Sequence, residues 1–415
     1  MIYFAQLLKF NFLPIQPEKE NKKTGSLKLK ALLEITKAIN RNAKQSYLLD
    51  KFKFILKEKL KIEKVALYTL KDKWNCLLYF GFDAHPPDLN SESELVKIKE
   101  INILKLKAND VFDIVIPVYH KERPLAYVLI GDSSEQKQEL SPVIKHLPFI
   151  QTLTNIIIVA IENKRLFKEN LEKIAIKKEL ELASKMQAML FPEKLPDNNQ
   201  FQFNAFYLPN QEVGGDYYDF IQLSDDEFLF CIADISGKGL PAALLMSNFQ
   251  ANLRALCNYI TNLKELAIEL NKKVMLNAKG EKFITFFCAR YNIKTRNLQY
   301  INLGHHPALL FHYNNMVELD KGSIGLGMLD ELPHLEAGTV SVNKNDLIIL
   351  YTDGLTENSN SKEEFFSINQ INTIILNNID QNVETINQSI INEVIKHKGN
   401  NGFNDDITLL SGKFF

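Results

Sequence analysis

Phe228-Leu-Phe-Cys-Ile-Ala-Asp-Ile-Ser-Gly-Lys-Gly239 is an apolar run that ends in an aspartate and then in a glycine-rich turn. Such a run reads as a strand buried on both faces, and a buried strand delivers its last residue to a sheet edge with little positional freedom. A carboxylate at that point is costly unless something positive neutralises it. The pattern recurs. Val213-Gly-Gly-Asp-Tyr-Tyr-Asp-Phe220 sets acids beside glycines, and Asp346-Leu-Ile-Ile-Leu-Tyr-Thr-Asp-Gly-Leu-Thr-Glu357 ends an apolar run in Asp353-Gly354. In Asn404-Asp-Asp-Ile-Thr-Leu-Leu410 the aspartates come before the run. Glycine at these points lets the backbone turn and approach a ligand closely. One Asp-Gly after a strand is ordinarily a turn. Four acidic strand ends between residues 213 and 410, with no basic cluster to pair them, point to bound hard cations. Carboxylates with water suit Mg²⁺ or Mn²⁺, and the lack of His/Cys ligand spacing argues against zinc.

These stretches sit in a chain of 415 residues, long enough for two or three modules. Apolar residues make up 46% and charged residues 24%, the make-up of a folded protein rather than a disordered one. The formal net charge is −1, so nothing in the balance points to nucleic acid or to an anionic membrane surface. Lysines crowd residues 17–64 with glutamates interleaved, as on a solvated helical face. Cys76, Cys231, Cys257 and Cys288 form no CxxC pair, and they read as reduced thiols of a cytosolic protein. Residues 1–14 are apolar but lack a basic region and a small-residue cleavage site, so they do not read as a signal peptide. No run reaches the ~18–20 apolar residues of a membrane span. The nearest, 147–161, is broken by Gln151, Thr152, Thr154 and Asn155. The expected location is the cytoplasm.

Upstream of residue 193 the pattern is an α+β module joined to a long helix. Residues 1–25 read as a loosely ordered lead-in. Leu29, Leu32, Leu33, Thr36 and Ile39 share one face of a helix over 26–42, and a second helix is expected at 47–61. Strand-like runs follow at 65–70, 76–80, 111–119 and 125–130, the last two joined as a hairpin by the charged turn His120-Lys-Glu-Arg-Pro124. Trp74, Asp83 and His85 read as loop residues without a ligand. Residues 26–147 have the size of one domain. Their order of helices, sheet and helix resembles a GAF domain, with a PAS-like sensor as the main competitor, and the GAF resemblance implies a small-molecule or protein signal there. Ser141-Pro142 is a helix start, with serine as cap and proline in the first turn. From residue 148 one helix is expected to about 190, ended by Pro192. Phe167, Leu171, Ile174, Ile176, Leu180, Ala183 and Leu190 recur mostly at three- and four-residue steps, as in a helix that pairs with a copy of itself. Residues 148–192 are therefore expected to form a coiled-coil, signal-transmitting linker that makes a homodimer, followed by a second domain at 193–415.

Together, GGDYYDF, ADISGKGLPAALLMS, NLGHHPALL, LYTDGLTE and DDITLL resemble the bacterial SpoIIE branch of the metal-dependent (PPM) protein phosphatases, over about residues 195–415. Residues 179–192, ELELASKMQAMLFP, resemble the regulatory linker of that branch. The resemblance implies an α–β–β–α sandwich with a site for two Mn²⁺ or Mg²⁺ ions at one edge of its paired sheets. It implies Asp234 as bridging ligand, the backbone carbonyl of Ile235, and Asp353 and Asp405 completing the first ion's shell. Asp216 would stand by the second ion through water. Asp219 and Asp406 remain open between supporting the ions and a structural role. Asp234, Asp353 and Asp405 would be catalytic through the ions, which activate a water for direct attack on phosphorus. Phosphoryl transfer needs no nucleophilic side chain, in keeping with the lack of a phosphate-loop cysteine or a Ser-His-Asp order.

The implied activity is hydrolysis of phosphoserine or phosphothreonine on a partner protein, with STAS-type anti-sigma-factor antagonists as the implied substrates. The alternative is a catalytically inactive regulator that keeps the fold and binds a partner. A dead version should have lost one of Asp234, Asp353 or Asp405, and all three are present. His305 and His306 stay open between an acid for the leaving oxygen and a structural role before Pro307. Gly237-Lys238-Gly239 lacks the Walker spacing and does not read as a nucleotide loop. Helices expected at 240–256 and 264–275 follow Asp234 directly, so a linker helix packed nearby could shift them and alter metal affinity.

Overall fold

Helical periodicity in the N-terminal part becomes α1 (Lys22–Asn40) and α2 (Gln45–Phe54), the latter continued by a π-helical turn, Ile55–Lys59. The computed structural model describes residues 22–70, 73–82, 89, 98–103, 112–120, 123–131, 144–313 and 315–415. Strands β1 (Lys64–Leu70), β2 (Trp74–Phe80), β3 (Asn102–Ile103), β4 (Ile114–His120) and β5 (Arg123–Gly131) follow, then α3 (Leu147–Ala188). The chain divides into two units, Met1–Lys173 and Ile174–Phe415, and α3 runs through the boundary.

In the first unit the described strands form an antiparallel sheet in the order β2-β1-β5-β4-β3. The expected hairpin is β4–β5, with His120 paired to Arg123. Alternation gives the sheet two apolar faces. Val65, Leu67, Ile116, Val128 and Ile130 pack with Ile35, Phe52 and Leu56 and with Ile150, Leu153 and Ile157 of α3. Tyr68, Trp74, Val115, Tyr127 and Leu129 form the other face. Trp74 is therefore a buried strand residue, not a loop residue, and its ring centroid lies 5.1 Å from that of Tyr127. Asp83, His85, Val111, the Ser141-Pro142 cap and residues 1–21 of the lead-in lie outside the described residues.

One expectation needs correcting. Among the described residues, the helical stretch Ile144–Ala188 is long and apolar enough, by length and composition, to cross a membrane. Counting uninterrupted apolar residues missed it, because a wider window tolerates Gln151, Thr152, Thr154 and Asn155. Phe149, Ile150, Leu153, Ile157 and Ile158 of that stretch are buried in the unit's core.

The second unit continues with β6 (Phe201–Leu208), β7 (Tyr217–Gln222), β8 (Glu227–Ile235), α4 (Leu240–Leu256), α5 (Leu263–Ala278), β9 (Ile284–Asn292) and β10 (Asn297–Leu303). Next come β11 (Ala308–His312), β12 (Asn315–Leu319), β13 (Gly322–Ser323), β14 (Gly338–Ser341), β15 (Leu347–Tyr351), the short α6 (Asp353–Thr356), α7 (Ile368–Asn378), α8 (Val383–Lys398) and β16 (Ile407–Phe414). One sheet has the order β13-β10-β9-β8-β7, with β14 also on β10, and the other β12-β11-β15-β16-β6.

Period-two alternation sorts each strand between two cores. Leu229, Cys231 and Ala233 of β8 face α4 and α5, while Phe228, Phe230 and Ile232 meet Ile348, Leu350 and Leu410 of the other sheet. On that second sheet Leu347, Ile349, Tyr351 and Leu409 turn outward against α7 and α8. The architecture is an α–β–β–α sandwich. Phe230 is wholly buried between the sheets, its ring 5.1 Å from Phe203. We expect Phe230→Ala to destabilise this unit by about 3–5 kcal/mol, read as a lower midpoint in urea denaturation; an unchanged midpoint would contradict the inter-sheet core.

Candidate metal centre

Asp234 lies at the end of β8, on the same alternation as Phe228, Phe230 and Ile232, and so on the inter-sheet side. Tyr217 pairs with Ala233, which sets Asp216 opposite Asp234, and each carboxyl group lies in the other's field. On the other sheet Tyr351 pairs with Leu409, and the Thr352 N–H donates to the Thr408 carbonyl at 3.1 Å. That pairing sets Asp353, just past β15, beside Asp405 and Asp406, just ahead of β16. Gly354 has no room for a side chain, since a Cβ would stand 1.8 Å from the Asp406 carbonyl oxygen. The Ile235 carbonyl faces the Gly215 loop, 3.0 Å from where a Cβ on Gly215 would lie.

Asp216 is buried, and its Oδ2 accepts from Thr352 Oγ1 at 2.8 Å and from Thr408 Oγ1 at 2.6 Å. Burial, and then the charge of Asp234, raise its pKa well above the usual carboxylate range against those hydroxyls. Asp234 is pushed up to about 7, by burial first and then by Asp353, Asp405 and Asp406. Burial, then Glu357 and Asp405, raise Asp353, while His306 opposes the shift. Carboxylates from four stretches thus lie within one another's field.

Hard, anionic oxygen donors gathered in partly dry surroundings fit Mg²⁺ or Mn²⁺. Among the described residues, no three His, Cys, Asp or Glu side chains close around a point as a ready-made cage. Mg²⁺ asks for less: it is held through one or two carboxylates and keeps several waters.

The two undecided aspartates have different surroundings. Asp406 accepts the Asn210 N–H at 2.7 Å and the Gly215 N–H at 2.6 Å, fastening the loop before β7 to the loop before β16. Asp219 is held apart from the cluster. Its fully buried carboxylate takes the Arg254 guanidinium from α4 at 2.7 and 2.9 Å, and the Tyr217 hydroxyl as well. It is a structural anion that anchors α4 to the sheet.

His305 is buried and structural. Its Nε2 lies 3.1 Å from the Tyr351 carbonyl, which can only accept, so Nε2 carries the proton and Nδ1 accepts from Thr285 Oγ1 at 2.8 Å. Thr285 is the strand partner of Asp234, so the imidazole ties the Asp234 strand to the one leading into Asp353. His306 stacks on Tyr351, with ring centroids 5.5 Å apart.

Four contributors escaped the reading of the motifs: Thr352, Thr408, Lys238 and Gln187. The two threonines end or begin apolar runs beside aspartates, a signal the motifs contain. The Gln187 amide of α3 donates to the Gly214 carbonyl at 2.7 Å and accepts the Gly214 N–H at 3.1 Å, a contact with no local sequence signature.

Residues 224–415 match the family model described as stage II sporulation protein E (SpoIIE). Over these residues the chain is similar to that family. The chain is 30% identical over 184 residues to the phosphoserine phosphatase RsbU of Bacillus subtilis (strain 168), covering 44% of this chain and 54% of that protein. It is 27% identical over 190 residues to the phosphoserine phosphatase RsbP of the same organism, covering 45% and 47%. It therefore spans about half the length of the curated relatives it matches. Among solved structures, the SiaA-PP2C domain of Pseudomonas aeruginosa aligns with a TM-score of 0.53 at 18% identity, over 59% of this chain and 99% of that one. That likeness shows the fold of the second unit to be of the PP2C type.

Burial, and then His306, lower the pKa of His305 from 6.5 to about 3. Between those values the unfolded chain binds a proton that the folded one refuses, so the neutral imidazole's contribution is complete above pH ~6.5 and is lost as pH falls towards 3. We expect the wild type to lose up to about 1.4 kcal/mol per pH unit more than His305→Gln between pH 6 and 4. Denaturation midpoints at stepped pH test this, and parallel curves for the two proteins would refute it.

Proposed function

We propose that this chain is a Mn²⁺- or Mg²⁺-dependent protein serine/threonine phosphatase that removes phosphate from phosphoserine or phosphothreonine on a partner protein. The observation that carries the reading is the convergence of Asp216, Asp234, Asp353 and Asp405 at one end of the sandwich, each from a different stretch. RsbU and RsbP, both named phosphoserine phosphatases, support it from sequence.

Two ions would be held by Asp234, Asp353 and Asp405, the Ile235 carbonyl, and Asp216. Bound there, they supply Lewis acidity towards the phosphoryl oxygens and acidify a water. The chain's own groups set the geometry. Thr352 and Thr408 fix the rotation of the Asp216 carboxylate, Asp406 holds the Gly215 loop, and His305 keeps the two sheets in step at this end. Asp353 and Asp405 are only half-buried, which leaves an approach for a phosphoryl group carried on a protein surface. By resemblance the substrate is a phosphorylated STAS-type anti-sigma-factor antagonist, and the setting is the cytoplasm.

Control is assigned to the first unit as a GAF-like sensor and to α3 as the linker. Along α3, Leu166, Phe167, Leu171, Ile174, Ile176 and Leu182 are exposed, which supports pairing with a second copy. At its far end the Gln187 amide grips Gly214, two residues before Asp216, so displacement of the helix would be felt at a proposed ligand.

Hydrolysis of p-nitrophenyl phosphate by the full chain is expected to require Mn²⁺ or Mg²⁺. It should fall by at least about a hundredfold in Asp234→Asn and in Asp353→Asn. Turnover that survives chelation, or persists in both variants, would sink the phosphatase reading. For the linker, Gln187→Ala should change the Mn²⁺ concentration giving half-maximal activity; an unaltered metal dependence would rule out this coupling.

A further inference from the structure

Lys238 stands between Gly237 and Gly239, both at positive φ (89° and 72°), in the loop that follows Asp234 and Ile235. Its Nζ lies 2.8 Å from Asp405 Oδ2 and donates to the Asn404 carbonyl at 2.5 Å. The other oxygen of Asp405 accepts the Asp406 N–H at 2.9 Å. Both carboxylate oxygens are thus engaged by donors of the chain itself. The ammonium also lies in the field of Asp406 and Asp353. The pair links the loop leaving one sheet to the loop entering the other, at the open side of the cluster, with the Lys238 side chain 45% exposed and that of Asp405 34%.

We propose that Lys238 is a tethered counter-cation that competes with a divalent ion for Asp405. The inference rests on the metal reading given above and adds a residue to it. An ammonium and a divalent ion on the same carboxylate repel each other strongly where water is partly excluded, so the ion takes Asp405 as the lysine leaves it. Glycines in left-handed conformation on both sides free this loop of the steric limits that a Cβ would impose on such a movement. Before metal arrives, Lys238 compensates Asp405 and joins the two loops. Once metal has bound, the ion makes that connection. Affinity for the metal is consequently lower than the ligand set alone would confer.

Calorimetric titration of Mn²⁺ into the metal-stripped full chain tests this without recourse to activity. Lys238→Gln should bind Mn²⁺ about fivefold more tightly than wild type, the size of one half-exposed ion pair. Lys238→Arg, which keeps the charge, should stay near the wild-type value. Lys282→Gln removes an equal charge from the same neighbourhood, where Lys282 Nζ donates to the Ser236 carbonyl at 2.7 Å, and it should also stay near wild type. Unchanged or weaker binding by Lys238→Gln overturns the competition, as does equal tightening by Lys282→Gln, which would reduce the effect to a general field. A wild type that binds no Mn²⁺ at all overturns the metal reading itself, and the competition with it.

Discussion

Mutual repulsion among carboxylates at one end of the paired sheets is the constraint on which the second unit's design depends. Two unit charges 4–6 Å apart repel by roughly 3–4 kcal/mol at an effective dielectric near 20, so an acidic cluster tends to spread or to take up protons. Here the crowding shows as upward pKa shifts of Asp216, Asp234 and Asp353, with burial the first cause each time and a neighbouring carboxylate the next. Spreading is resisted by the inter-sheet core, where Phe201, Phe203, Phe228, Phe230 and Phe414 interlock behind the cluster. The aromatic layer keeps the strand ends together against their own charge.

What surrounds each carboxylate separates the proposed ligands from structural acids within a single motif. In GGDYYDF, Asp219 meets a guanidinium through two charge-assisted bonds, each stronger than a neutral one. Its charge is already balanced. Asp216, three residues earlier, meets hydroxyls, which orient a carboxylate without neutralising it. Asp406 likewise receives neutral N–H donors, but both of its oxygens are occupied in tying loops together. A buried anion supplied with orientation and no countercharge is poised for a cation, and Asp216 matches that description better than Asp219 or Asp406.

The sandwich was foreseen through the family resemblance; the residues themselves showed buried strands as long apolar runs broken by acids at their ends, and the helices at Leu240–Leu256 and Leu263–Ala278 follow from period alone. The first unit was legible in its order of elements, though Trp74 read as a loop residue because the polar Asn75 separates it from the apolar run 76–80. Pairing partners were not legible. Arg254 reads as an ordinary exposed helical arginine until α4 is laid on β7, and His305 shows its role only when Thr285 and Tyr351, distant in sequence, appear on either side of it. Contacts of this kind are decided by which sheet edges meet, and no local pattern records that.

The Gln187–Gly214 contact shows how little energy control of this site would take. Two neutral hydrogen bonds are worth about 1 kcal/mol each, so releasing the pair alters the balance between two loop positions by about 2 kcal/mol, a factor of roughly thirty in population. That is small beside the inter-sheet core and cannot endanger the fold. Yet Gly214 leads directly into Gly215, whose N–H is bound by Asp406, and into Asp216, so a displacement there has no slack in which to dissipate. A helix end that grips backbone rather than a side chain transmits its position to the loop itself. The acidic cluster, already strained by its own charge, is where a modest change of loop geometry would alter cation affinity most.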